Sequence, residues 1–195
     1  SLNLFIYKPK NLPPNAPCLI YLHGGGFFLR GSYMSRKAAI YYARHLPCVV
    51  VYVDYSLSLT HPFPTALEEA YIALCWANEH ASELGIDAAR IGIGGESAGG
   101  ALSATVCQMT RDRNGPNICC QLLIYPVLDD KMETESMREM VDTPLWNQVT
   151  NQVMWDYYLK GVETENIPYI SAMRASSFQN LPPAYIETAE FDPLR

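Results

Sequence analysis

Gly95-Glu96-Ser97-Ala98-Gly99 joins two kinds of local structure within a single turn, and few architectures tolerate that junction. Before it, Arg90-Ile91-Gly92-Ile93-Gly94 reads as the end of a buried strand. After it, Ala98 through Met109 is rich in Ala, Leu, Gln and Met, which favour a helix that Gly99 and Gly100 let pack close to a sheet. The same alternation recurs along the chain. Cys18–Leu22 is an apolar strand, Ser35 to Leu46 a helix, and Cys48–Val53 a near-continuous β-branched run suited to a strand covered on both faces. Thr65-Ala66-Leu67-Glu68 has the spacing of a capping box, and Leu67, Ala70, Tyr71, Leu74, Ala77 and Ala81 mark one face of the helix behind it. Asp87 and Arg90 flank the next strand as a structural pair, Ile118 to Tyr125 gives a further strand ended by Pro126, and Ala184–Thr188 gives another. Alternating strands and helices predict an α/β fold with a mostly parallel sheet, helices on both faces and right-handed crossovers.

A serine in the middle of such a strand-turn-helix projects its hydroxyl, while the helix N-terminus points amides at it. A second motif bears on the same chemistry. His23-Gly24-Gly25-Gly26 follows the Cys18–Leu22 strand, and consecutive glycines let backbone amides approach a ligand closely. Alone, this stretch is also compatible with a flexible loop. Beside the serine elbow, and in this order, it reads as an oxyanion loop, because acyl transfer by a serine creates an oxyanion that needs rigid N–H donors. The donors are assigned to Gly25 and Gly26, with a third from Ala98, the residue after the nucleophile.

The motifs resemble the hormone-sensitive-lipase-like branch of the α/β-hydrolases. The matching segments are His23-Gly24-Gly25-Gly26-Phe27, Asp54-Tyr55-Ser56-Leu57, His61-Pro62-Phe63-Pro64, Gly95-Glu96-Ser97-Ala98-Gly99-Gly100, Leu181-Pro182-Pro183 and Phe191-Asp192-Pro193-Leu194-Arg195. Ser56 stands where that family usually has arginine, and Glu96 where aspartate is commoner. The resemblance implies the α/β-hydrolase fold and a serine carboxylesterase acting on short or medium-chain esters. Ser97 would be its nucleophile and Asp192 its acid, with no metal or organic cofactor needed. Asp192 follows the Ala184–Thr188 strand, at the carboxyl edge where open α/β sheets hold ligands, although Asp before Pro also simply starts turns.

The order Ser, Asp, His of this fold calls for a base after Asp192. All four histidines precede Ser97. His23 reads as a brace of the oxyanion loop, His45 and His80 as partners of helix-end carbonyls, and His61 as a loop brace before Pro62. The catalytic histidine is therefore expected beyond residue 195. The 195 residues are expected to be one partial domain of a longer protein, opening mid-strand at Ser1-Leu2-Asn3-Leu4-Phe5-Ile6-Tyr7 and impaired without the base. Asp129 to Asn180 breaks the α/β rhythm, with helix-like pieces at 135–140 and 145–160 rich in aromatics and methionine. It reads as a lid over the pocket, the other reading being a helical excursion whose aromatics are core.

Composition narrows the alternatives. With 49% hydrophobic and 17% charged residues the chain can bury a core, and its net charge of −6 argues against nucleic acid and anionic membrane surfaces. No apolar run approaches the ~20 residues of a membrane span. The six cysteines show no C-x-x-C spacing and read as small buried thiols in a reducing, cytoplasmic setting. The expected partner is a small-molecule ester, and a homodimer is common in the family resembled. Two other functions remain open: a catalytically silent relative that binds a small molecule, and an amidase or deacetylase using the same triad.

Overall fold

The alternation is realised in the computed structural model, which describes residues 2–165 and 167–195. Ser1, read above as opening the first strand, and Asn166, within the 129–180 insertion, lie outside the described residues. Strand β1 (Asn3–Tyr7) runs through a loop into β2 (Ala16–Leu22), which is joined to β3 (Val49–Asp54) through helix α1 (Tyr33–His45). Helices α2 (Thr65–Glu79) and α3 (Ala81–Leu84) lead into β4 (Ile86–Glu96), and α4 (Ala98–Asp112) leads into β5 (Gln121–Ile124). Helices α5 (Glu135–Glu139) and α6 (Gln148–Tyr158) and a 3-10 turn at Ala172–Arg174 precede β6 (Ala184–Glu187). The strands form one sheet in the order β1-β3-β2-β4-β5-β6. Among the described residues, β1 alone is antiparallel to its neighbour.

Alternate residues of the strands feed opposite faces. Val50 and Tyr52 of β3 and Tyr21 of β2 pack with Ala39 and Ala43 of α1. Val49, Val51 and Val53 join Ile20, Leu22, Ile91 and Ile93 on the other face, against Leu67 and Leu74 of α2 and Leu102 of α4. Two buried faces are what the unbroken β-branched run of β3 required. Strand β6 differs, since all four of its residues are exposed.

Several expectations shift at their edges. Helix α1 starts at Tyr33, because Ser32 caps it by accepting the Ser35 amide at 3.0 Å. The capping box at Thr65 does not form. Pro64 occupies the cap position without a side-chain bond, and Thr65 is already helical. Asp87 and Arg90 do pair, at 3.2 Å. Cys18, Cys48 and Cys107 are buried and Cys75 half-buried, but Cys119 and Cys120 are exposed, contrary to the reading of all six as buried thiols. The physical reason is that β5 begins only at Gln121, and the cysteine pair lies on the approach to it, outside the covered part of the sheet.

The 129–180 insertion is clamped at its base. The Met173 amide donates to Leu128 O at 3.0 Å, and Arg174 pairs with the carboxylate of Asp130, which also accepts from the Ser171 hydroxyl. Burial alone would raise the Asp130 pKa, but the bonds from Arg174 and Ser171 outweigh it and hold the carboxyl below its ordinary range. Along α6, Met154, Trp155 and Tyr158 are buried in the main core, while Val149, Val153 and Tyr157 face outward.

Candidate active site

Strand β4 ends at Glu96 and α4 begins at Ala98, so Ser97 alone makes the turn. It does so at φ 53° and ψ −117°, a backbone conformation that L-residues rarely adopt. Surrounding bonds enforce it. The Ser97 amide donates to Ile124 O of β5 at 2.9 Å, and its carbonyl accepts from Ala101 at 3.0 Å and Val127 at 3.3 Å. Close approach accounts for the glycines on either side. A Cβ on Gly95 or on Gly99 would stand 2.0 Å from the Leu22 carbonyl oxygen, so strand and helix meet at a distance only glycine permits.

The loop after β2 lies against this elbow, where a Cβ at Gly24 would be 3.4 Å from the Ser97 Cβ. Gly25 (φ 112°), Gly26 (φ 57°) and Phe27 (φ 61°) turn the chain sharply. The Gly25 carbonyl accepts from the amides of Phe28 (3.2 Å) and Leu29 (2.8 Å), whereas the Gly25 and Gly26 amides donate to no backbone acceptor among the described residues. Ala98, at the first position of α4, has no intrahelical acceptor for its amide. Gly25 borders the same cavity as Ser97, Ala98 follows the serine directly, and Gly26 lies against Trp146 and Met154.

His23 braces that loop, as expected. It is fully buried, its Nδ1 is 2.6 Å from Gly24 O, and its ring stacks 4.1 Å from Tyr55, whose hydroxyl donates to the His23 carbonyl at 2.7 Å. Burial pushes the imidazole pKa below its ordinary value, so His23 is held neutral. On its outer side the loop is seated on α6. Phe27 stacks 3.9 Å from Tyr158 and lies 5.9 Å from Trp155, and a Cβ on Gly26 would meet Trp146 at 2.9 Å and Met154 at 3.3 Å. The Phe63 amide donates to Tyr158 O at 2.8 Å, which ties the Phe63-Pro64 turn to the same helix.

Both departures from the family pattern are accommodated. The Glu96 carboxylate accepts from the hydroxyls of Tyr21 and Ser35, which anchors the elbow to β2 and to the start of α1. Ser56 donates through its amide (2.6 Å) and hydroxyl (2.8 Å) to Glu69. Sequence reasoning missed Tyr21 and Ser35 as partners of Glu96. The available signal was a hydroxyl-bearing residue set within the apolar Cys18–Leu22 run.

A cavity of about 440 Å³ opens beside the serine, bounded by Ser97, Glu96, Gly24, Gly25, Tyr21 and Arg30, among others. Asp192 is not part of its wall. It lies beyond β6, where its Oδ1 accepts the Leu194 amide at 2.9 Å, the turn-starting contact of an Asp before Pro. The remaining histidines are engaged elsewhere: His45 Nδ1 is 2.9 Å from Tyr41 O, His80 Nδ1 is 2.9 Å from Trp76 O, and His61 Nδ1 is 2.9 Å from the Thr60 hydroxyl. Among the described residues no cluster of His, Cys, Asp or Glu could hold a metal, and no helix is long and apolar enough to cross a membrane.

A mostly parallel sheet with helices on both faces, carrying a serine on a strained strand-to-helix turn beside a glycine-rich loop, defines an α/β-hydrolase. Residues 19–195 match the family described as having the alpha/beta hydrolase fold, and the chain belongs to that family. It is 36% identical over 193 residues to "Carboxylesterase NlhH" of Mycobacterium tuberculosis, covering 97% of this chain and 60% of that protein. It is 37% identical, with the same coverage, to "Esterase LipI" of the same organism. Among solved structures it resembles "Bacterial Heroin Esterase" with a TM-score of 0.93 and 38% identity, covering 100% of this chain and 63% of that one. The chain thus spans about 60% of the length of the curated relatives it matches.

Proposed function

We propose that these residues carry the nucleophile and oxyanion loop of a serine carboxylesterase of the hormone-sensitive-lipase-like branch, acting on short or medium-chain esters. The observation that carries the reading is the geometry at Ser97, a strained and clamped turn facing a loop whose Gly25 and Gly26 amides have no backbone acceptor among the described residues. Ser97 attacks the ester carbonyl, and the amides of Gly25, Gly26 and Ala98 take the oxyanion. Water later releases the acyl group. A serine hydroxyl needs a base within hydrogen-bonding reach. His23 is buried under Tyr55, and His45, His61 and His80 bond to their own loops or helix ends, so the base is assigned to a histidine outside these residues, oriented by Asp192. The 129–180 segment serves as the lid, a reading supported by its Trp146, which lies against Gly26 of the loop. Six free thiols fit a reducing, cytoplasmic setting.

The test is hydrolysis of p-nitrophenyl butyrate by the complete gene product beside its Ser97→Ala variant. Turnover is expected only with Ser97. Equal background rates in both would replace the esterase with a relative that keeps the fold without the chemistry. Faster turnover of matched anilides than esters would instead make it an amidase.

A further inference from the structure

We propose that Cys119 and Cys120 form a dithiol site for trivalent arsenicals that carry one organic substituent. Both thiols are exposed and their Sγ atoms are 3.9 Å apart. The backbone holds them on a fixed rail, since the Cys119 amide donates to Ile91 O at 2.8 Å and the Ile93 amide donates to Cys120 O at 3.1 Å. Gly92 supplies the room: a Cβ there would stand 2.9 Å from the Cys120 Sγ.

Three chemistries compete for such a pair, and two fail. A disulfide between adjacent residues is strained, because trans neighbours place their Cα atoms about 3.8 Å apart and disulfides want roughly 4.4 Å or more. Strained disulfides are readily reduced, so the dithiol is the favoured state. A structural zinc needs four ligands, and no group of three His, Cys, Asp or Glu residues is placed to hold a metal among the described residues. An organic arsenical brings its own third substituent and needs only two sulfurs. In the reaction R–As=O condenses with two S–H groups, two As–S bonds form, the arsenyl oxygen leaves as water, and arsenic stays trivalent. The site is separate from the elbow, since all of β5, four residues or roughly 13 Å, lies between the pair and the Ile124 carbonyl that holds Ser97.

The experiment is intact-mass analysis of the native protein titrated with phenylarsine oxide. One adduct per chain is expected, resistant to excess 2-mercaptoethanol and released by 2,3-dimercaptopropanol. It should vanish in Cys119→Ser and in Cys120→Ser and persist in Cys75→Ser. If a serine variant fails to fold, maleimide mapping of the wild-type protein gives the same answer, with the arsenical shielding residues 119 and 120. No adduct, an adduct that survives both serine variants, or shielding of other cysteines instead would overturn the proposal.

Discussion

Replacing the serine of the elbow by glycine separates strain from chemistry. Ser97 sits at φ 53°, ψ −117°, where a residue bearing a Cβ costs about 1–3 kcal/mol and glycine costs little. Ser97→Ala removes the hydroxyl but keeps the Cβ and hence the strain. Ser97→Gly removes both, at an unfolded-state entropy cost of roughly 0.5–1 kcal/mol. The difference leaves the glycine variant more stable than the alanine variant by about 1 kcal/mol. For a chain of 195 residues that is a shift of roughly 2–4 °C in Tm. Parallel thermal and urea denaturation of the two variants reads this directly, and neither variant should turn over ester or react with a fluorophosphonate. A glycine variant equal to or less stable than alanine would refute the reasoning. It would mean that the bonds to Ile124, Ala101 and Val127 accommodate the turn without cost.

The same geometry sets other outcomes. Tyr158→Ala should cost about 3–5 kcal/mol, because it empties a core position stacked on Phe27, whereas Tyr158→Phe should stay within roughly 1 kcal/mol in urea titrations. Gly99→Ala forces a Cβ to 2.0 Å from the Leu22 carbonyl and should destabilise by about 3 kcal/mol or prevent folding, read by circular dichroism and solubility. Arg174→Met leaves the Asp130 carboxylate buried without its cation and should cost about 3 kcal/mol at neutral pH. Asp130's folded pKa is depressed, so the stabilisation it brings is present above the unfolded value near ~4 and is lost as pH falls through the folded one. The gap between wild type and variant, followed by denaturation from pH 7 to pH 3, should therefore narrow at the acid end. His23 should be less protonated by NMR than an exposed imidazole at the same pH near neutrality, because burial lowers its pKa. Since the unfolded chain takes up that proton first, stability falls as pH drops below about 6.5.

Much of the fold is legible in the sequence. The elbow could be read because a strand, a small-residue turn and a helix are each local patterns, and Ser97 is simply where they meet. The glycine turn after β2 was legible for the same reason. The roles of His45 and His80 also followed from position, since a histidine at a helix end finds the last carbonyls. Local spacing misled at Thr65, where Pro64 takes the cap position in a helix that starts one residue early for a capping box. It misled again at Cys119 and Cys120, whose apolar surroundings in the sequence gave no sign that the sheet's cover stops short of them.

Residue order and composition by themselves determined the layered α/β class and the placing of Ser97 beside the turn that begins at Gly24. Periodicity, glycine placement and motif order are properties of neighbouring residues, and they survive without knowledge of distant contacts. Only the tertiary structure decided which partners hold those pieces. Glu96 is tied to Tyr21 and Ser35, 75 and 61 residues away, Phe27 is seated on Tyr158, and the ends of the insertion are clamped by Asp130 and Arg174. Contacts between residues so far apart in sequence arise from how the sheet brings its strands and helices together, and no local pattern encodes them.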